Sequence, residues 1–453
     1  TVTSRLNQKL PPLFLGEGWG GVIGNFVPLR LPFPHTMSQV INLYRNAFGG
    51  LSQASWMLAL IMFINRAGAM VVPFLSVYLT ASLGFKLKDA GIIMSLFGLG
   101  ATCGAFLGGW LTDKIGHFKV QLGSLFLSSG MFLVVLQLQT FESLAVGIFF
   151  LSLVAECLRP ANASSVSYYA RPENVTRAFS LNRMASNLGF SIGPALGGLL
   201  ASISYHWLFV GDAITCFSAG IFFYFYFRSR TGFKKQKPTV LEITTEVPTE
   251  NATENDPKPA RVRSPYSDLK FLLFALLSCI FATIFFQFFM TLPIYYRQVY
   301  QLSESGIGLL LALNGVLVFA LEMVVVYLIG DKFKLAHLMA LGTLVMGFSF
   351  VILNLFEGHA ILYVAMGILS ISEILAMPFM ATITVQRSNN FNRGAYMGLY
   401  TLSYSAAHII SPYLGTNIIA DFGFETLWYV LGGLSVVAAT GFYFLVPRLQ
   451  QEQ

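Results

Sequence analysis

Two apolar runs and the charged turn between them decide the fold: AGIIMSLFGLGATCGAFLGGWLT (90–112), DKIGHFK (113–119) and VQLGSLFLSSGMFLVVLQLQTF (120–141). Neither run contains Asp, Glu, Lys or Arg. A bilayer core about 30 Å thick takes ~20 apolar residues in a helix, so the stretch reads as two crossings joined by a tight turn at one membrane face. The runs are continuously apolar rather than alternating, which argues against porin-type strands. Working outward, similar uncharged runs occur at 67–85, 184–205, 271–296, 338–356 and 426–447, and others are interrupted by a single charge at Glu156, Glu322 or Glu373. The pattern predicts twelve spans, near 54–80, 88–112, 120–138, 142–170, 178–202, 206–228, 268–297, 303–330, 335–355, 359–386, 394–420 and 423–447.

Composition agrees. Of 453 residues, 55% are hydrophobic and only 11% charged, and the mean hydropathy is +0.65. A soluble domain carries about 25% charged residues, so a soluble enzyme, a disordered scaffold and a disulfide-stapled module are excluded. The four cysteines lie in apolar stretches with no CxxC pair, so neither a disulfide framework nor a metal site is expected.

The net charge of +7 needs no nucleic-acid partner. Twenty of the 28 Lys and Arg residues fall on one side of the twelve-span scheme and three on the other. By the positive-inside rule the N-terminus, the C-terminus and the central loop are expected in the cytoplasm of a multi-pass protein of the cell membrane. The basic residues of that side include Arg171, Arg177, Arg387 and Arg393 in short loops.

Residues 1–36 begin with Thr, precede the first Met (Met37) and lack a signal-peptide layout; they read as a non-native or disordered leader. Residues 229–266 form the long polar segment, basic at both ends and acidic and Thr/Pro-rich between, which reads as a disordered cytoplasmic linker. It separates an N-terminal six-helix bundle (37–228) from a C-terminal one (267–447), with a short tail at 448–453.

The two halves repeat each other. Asp113-Lys114 recurs as Asp331-Lys332, Glu156 as Glu373, Arg171 and Arg177 as Arg387 and Arg393, and Gly193-Pro194 as Ser411-Pro412, all 216 to 218 residues apart. The fold class expected is all-α: twelve membrane helices as two pseudo-symmetric six-helix bundles, with a substrate site near the midplane between them.

Three motifs resemble those of the major facilitator superfamily. GGWLTDKIGHFK (108–119) is similar to its motif A, with Gly109, Leu111, Asp113, Lys114 and Gly116 matching. The resemblance implies a cytoplasmic gate that locks and releases as the halves rock, shared with the reduced copy at Asp331 and Lys332; the plainer alternative is topological charge at a helix end. SNLGFSIGPALGGLL (186–200) resembles motif C through Gly189, Gly193, Pro194, Gly197 and Gly198, a mark of the proton-coupled drug antiporter branch, against generic small-residue packing. Arg159, Asn162 and Ala163 resemble motif B, whose arginine is linked to proton transfer, although Pro160 departs from that pattern.

A charge near the bilayer centre costs about 2.5–3.5 kcal/mol on insertion scales, and needs a partner or a watery cavity. Glu156, Arg159, Glu373 and Arg66 all lie near the middle of spans. They are expected to converge on a central cavity and carry proton coupling; a static network that fixes packing is the competing reading. Glu322 is a weaker candidate, Asp212 reads as interfacial, and His408 reads as a packing residue. The aromatic seventh span either lines an apolar pocket or packs, and Tyr295, Tyr296 and Tyr300 read as an interfacial belt.

The function expected is secondary active transport: proton-coupled efflux of amphipathic small molecules, as in multidrug resistance, or alternatively import of a nutrient such as a sugar or organic acid. No enzymatic activity and no cofactor are expected, with the proton gradient as the driving force. The partners expected are a small-molecule substrate, protons and the lipid bilayer, with the protein acting as a monomer. Neither a phosphate-cradling GxxxxGK[ST] nor a catalytic domain is present in the sequence.

Overall fold

The computed structural model describes residues 50–171, 174–230, 264–329, 332–388 and 392–451. The leader, most of the 229–266 linker and Asp331 lie outside them. The described residues are helical: α1 Gln53–Ala67, α2 Val71–Val77 with a π-turn at Tyr78–Ser82, α3 Leu87–Ile115, α4 His117–Val135, α5 Phe141–Glu156, α6 Leu158–Tyr169, α7 Val175–Ile203, α8 His206–Phe227, α9 Leu269–Met290, α10 Leu292–Gln298, α11 Glu304–Ile329, α12 Leu335–Leu355, α13 His359–Arg387 and α14 Arg393–Gln450. Among the described residues, ten segments are long and apolar enough to cross a membrane, counting α1–α2, α5–α6 and α9–α10 each as one. The α7 helix is not among the ten, and carries Arg177, Asn182, Arg183 and Asn187. The α14 segment is two helices joined at a kink at Gly423, where φ is 85°. Large apolar side chains such as Phe106, Leu199 and Phe225 are exposed, as a lipid-facing surface requires.

Three expected spans are broken, and each break sits just before a proline. Proline lacks an N–H and its ring clashes with the carbonyl four residues back. Pro73 follows the interruption at Gly68–Met70, Pro160 the one at Cys157, and Pro293 the one at Thr291. The tail expected at 448–453 is helical through Gln450.

Within the N-terminal half, α1 packs on α7 and α8, α3 on α5, and α4 on α8; within the other half, α9 and α12 pack on α14, and α11 and α12 on α13. Across the halves, α3 packs on α14 and α7 on α11. Small residues permit these crossings. A Cβ at Gly98 would lie 2.6 Å from the His408 carbonyl, one at Gly315 2.6 Å from Ser191 Cα, and one at Gly198 2.6 Å from the Glu304 carbonyl.

The helix ends nearest the linker and those opposite differ. At the far end, Lys88 Nζ lies 2.7 Å from Asp421 Oδ1. Tyr205 Oη donates to Glu304 Oε1 at 2.8 Å, and Arg297 lies 3.5 Å from the same carboxylate. Toward the linker end the side chains of Arg159 and Arg183 are 68% and 65% exposed. Arginines at that depth in an apolar bundle require water around them. The halves thus meet at the far end through Lys88–Asp421 and Tyr205–Glu304, and nearer the linker end Arg183 of α7 pairs with Glu322 of α11.

Candidate functional site between the halves

The charged residues of the spans gather in two groups, one per half. In the first, Glu156 ends α5 and Arg159 stands in the first turn of α6, across the Pro160 break. Arg159 Nε lies 3.8 Å from Glu156 Oε2, an ion pair too long for a hydrogen bond. Arg66, in the last turn of α1, lies within Coulombic reach of both, and its guanidinium sits 5.1 Å over the Phe190 ring of α7.

In the second group, Glu373 of α13 accepts a hydrogen bond from Asn314 Nδ2 of α11 at 3.3 Å, and Asn314 also donates to Ser370 Oγ at 3.1 Å. Glu322 and Arg183 pair across the two halves, α11 to α7, and both act electrostatically on Glu373. Two residues of α14 one turn apart address the two groups. His408 feels Glu156 and Arg159, and Tyr404 feels Glu373. The His408 ring stacks on Phe286 at 4.6 Å and meets Phe97 edge-on at 5.7 Å. These rings lie beside the Gly98–His408 crossing that joins the halves.

The motif C residues divide their work by face. Gly189, Gly193 and Gly197 lie against α1 and the Gly68–Met70 break, whereas Gly198 and the Pro194 carbonyl meet Gly308 of the opposite half. Of the motif A residues, Gly116 makes the turn between α3 and α4 with φ 88°, a conformation that favours glycine. Gly109 has open space around it. Asp113 and Lys114 are exposed. In the repeated copy Lys332 is exposed and Asp331 lies outside the described residues.

Several expectations need correction. Asp212 is not interfacial: it is 1% exposed and accepts from the Met70 and Val71 N–H groups at 2.9 and 3.2 Å. Tyr295 and Tyr296 are not a belt either; both are buried, and Tyr295 packs edge-on against Trp428 at 5.3 Å.

Arg171 and Arg177 are exposed, but Arg387 is not a loop residue like them. It ends α13 with its side chain 5% exposed. Arg387 Nε donates to Asp268 Oδ2 at 2.8 Å and its Nη1 to the Leu449 carbonyl at 3.2 Å. Tyr396 Oη donates to the same Asp268 oxygen at 3.0 Å, and Asp268 also caps α9 through the Phe271 N–H. Burial pushes the Asp268 carboxyl up, but the Arg387, Phe271 and Tyr396 donors prevail and hold it below the usual carboxylate value. Arg393 begins α14. Asn314 was missed in the sequence; a lone amide inside the apolar run LLLALNGVLVF (309–319) is the signal that marks it.

Comparison with known proteins places this geometry. The family described as Major Facilitator Superfamily matches residues 56–412 and 295–453. The chain is 28% identical to "Uncharacterized MFS-type transporter YttB" of Bacillus subtilis (strain 168), covering 81% of the chain and 88% of that protein. It is 24% identical to a "Na(+), Li(+), K(+)/H(+) antiporter" of Planococcus maritimus, covering 84% and 92%. It is 22% identical to "Multidrug resistance protein MdtH" of Salmonella arizonae, covering 84% and 91%. A crystal structure of the peptide transporter POT superposes with a TM-score of 0.72 at 18% identity, covering 88% of this chain and 95% of that one; at that identity the likeness speaks for the fold alone.

Proposed function

The chain belongs to the Major Facilitator Superfamily, and from that premise we propose that it exports amphipathic small molecules in exchange for protons by alternating access. It is a multi-pass membrane transporter and not an enzyme. The finer reading takes twelve crossings, with α7 as one and α14 as two joined at Gly423. The excess of Lys and Arg on the linker side puts that side, with both termini, in the cytoplasm of the cell membrane. A single chain suffices, because the site is complete between its own halves.

The observation that carries the reading is the pair of carboxylates, Glu156 and Glu373, one in each half and each beside the cationic or amide partner described above. Export needs a site that holds either a proton or a substrate and exposes it to each side in turn. In this cycle the linker end parts to admit substrate from the cytoplasm. One carboxylate releases its proton as substrate binds, and a mobile arginine, Arg159 beside Glu156 or Arg183 beside Glu322, favours the ionised form when it approaches. The rings of Phe190, stacked under Arg66, and of Phe97 and Phe286, against His408, suit an amphipathic guest. Asp113 and Lys114 are exposed; in this cycle they engage when the linker end closes. The gradient, not a bound cofactor, drives the cycle.

The test uses everted vesicles with an acid interior and a pH-sensitive dye. The panel holds amphipathic cations and neutral drugs, and also Na⁺ and K⁺ because one relative is named for those ions. Partial collapse of the gradient on substrate addition, lost in Glu156→Gln or Glu373→Gln, is expected. Uptake into right-side-out cells with no collapse in everted vesicles would establish an importer instead.

A further inference from the structure

The N-terminal half contains a cavity of about 80 Å³ whose lining residues all come from that half. At ~30 Å³ per water it has room for two or three. Its polar lining comes from Asn65, Arg66, Ser124, Ser128, Glu156, Asp212 and Cys216. Ser128 is 3% exposed, and its hydroxyl has no hydrogen-bond partner in the protein. A buried hydroxyl of this kind calls for water. Glu156 lines this cavity and also pairs with Arg159, whose side chain is 68% exposed.

Asp212 lies at the other side of the cavity. Its two oxygens accept from the first backbone N–H groups after the break in the first span, Met70 and Val71. It therefore ties α8 to α2. The α2 segment in turn packs on α9 and α10 of the opposite half, at the far end. A hydrogen bond to an ionised carboxylate is roughly twice as strong as a neutral one, so a proton on Asp212 weakens this tie and turns one oxygen from acceptor to donor.

We propose that Asp212 is a second proton-binding site, reached from Glu156 through water in this cavity, and that its protonation frees α2 and releases the far-end closure. The ligand is a proton carried by water. The charged and titratable groups facing Asp212 are Cys216 on its own helix, Arg66 from α1 and Glu156 from α5 across the cavity; α2 and α4 bring only serine and apolar side chains to the lining, and α7 brings none. The proposal rests on the transporter reading but not on direction or substrate.

The experiment reads the far end directly. Spin labels on ketone-bearing residues introduced at the exposed positions Ala81 and Val299 leave the native cysteines in place, and their separation is measured by pulsed electron resonance in lipid nanodiscs. Acidification is expected to shift wild-type populations to longer separations. Asp212→Asn is expected to give the long population at every pH, with the pH response lost. If that variant does not fold, Ser128→Val fills the cavity while keeping the carboxyl, and is expected to displace the midpoint of the response. A wild type without a response, an Asp212→Asn variant that responds like wild type, or a Ser128→Val variant with an unchanged midpoint each overturns the proposal. Failure of vesicle exchange with this response intact would refute proton-coupled export and leave the Asp212 site standing.

Discussion

Removing one partner of the Asp268–Arg387 pair exposes how the C-terminal half is held at its linker end. Arg387→Met keeps most of the side-chain volume but deletes the donors to Asp268 Oδ2 and to the Leu449 carbonyl. Both side chains are 5% exposed, and breaking a buried pair costs about 3–5 kcal/mol because the remaining charge is left uncompensated. Asp268 keeps its Tyr396 and Phe271 donors, so the loss should fall near the low end, ~3 kcal/mol. At ~2.1 cal/mol/K per residue, that lowers the unfolding midpoint by about 3 °C if the whole chain unfolds together, and by about 8 °C if the C-terminal half unfolds alone. The assay is thermal unfolding of purified protein followed by tryptophan fluorescence. The cycle closes with Asp268→Asn and the double variant, which removes both charges and should lose less than the two singles added. An Arg387→Met midpoint equal to wild type, or strictly additive singles, would refute the reasoning. The pH dependence has a definite sign. The folded Asp268 carboxyl lies below its ordinary value of 3.8, so the stabilisation is present above that value and is lost as pH falls through the lower folded one. Asp268→Asn should flatten that acid limb.

Other positions give sharper contrasts. Lys88→Ala breaks an exposed pair whose side chains are 47% and 48% exposed; such pairs contribute about 0–1 kcal/mol, so the melting point should hold while reagents gain access to the far end. Gly308→Leu places a side chain against the Pro194 carbonyl and Gly198 and should abolish vesicle transport with the protein still folded, since the halves no longer close there. Gly116→Ala meets no atom within 4 Å, so its cost is backbone alone: φ 88° with ψ 150° is a region that essentially only glycine adopts, and a Cβ there should destabilise by about 1–3 kcal/mol, read as a drop in melting temperature.

Much of this protein was legible without coordinates. Each crossing is a local property: a bilayer demands ~20 apolar residues in one stretch with every backbone group bonded within it, so the runs at 90–112 and 120–141 announce α3 and α4 with no knowledge of neighbours. Duplication was equally legible, because paired landmarks such as Glu156 and Glu373 keep their spacing along the chain. The three breaks were not legible in the same way: Pro73, Pro160 and Pro293 each follow one, yet Pro194 and Pro378 lie inside unbroken helices, so whether a proline interrupts its helix is decided by what packs around it.

What a side chain faces was not legible, because in an apolar helix every side is apolar and periodicity no longer separates core from surface. Asp212 near a helix end reads as interfacial until α2 is seen to present two free N–H groups to it. Tyr295 and Tyr296 read as a membrane-edge belt until Trp428 and its neighbours enclose them. Arg171 and Arg387 occupy equivalent places in the repeat, yet one is exposed and the other buried, because Asp268 and Tyr396 surround only the second. Depth in the membrane is written along the chain; partners are decided by which helix faces meet, and that decision belongs to the tertiary structure.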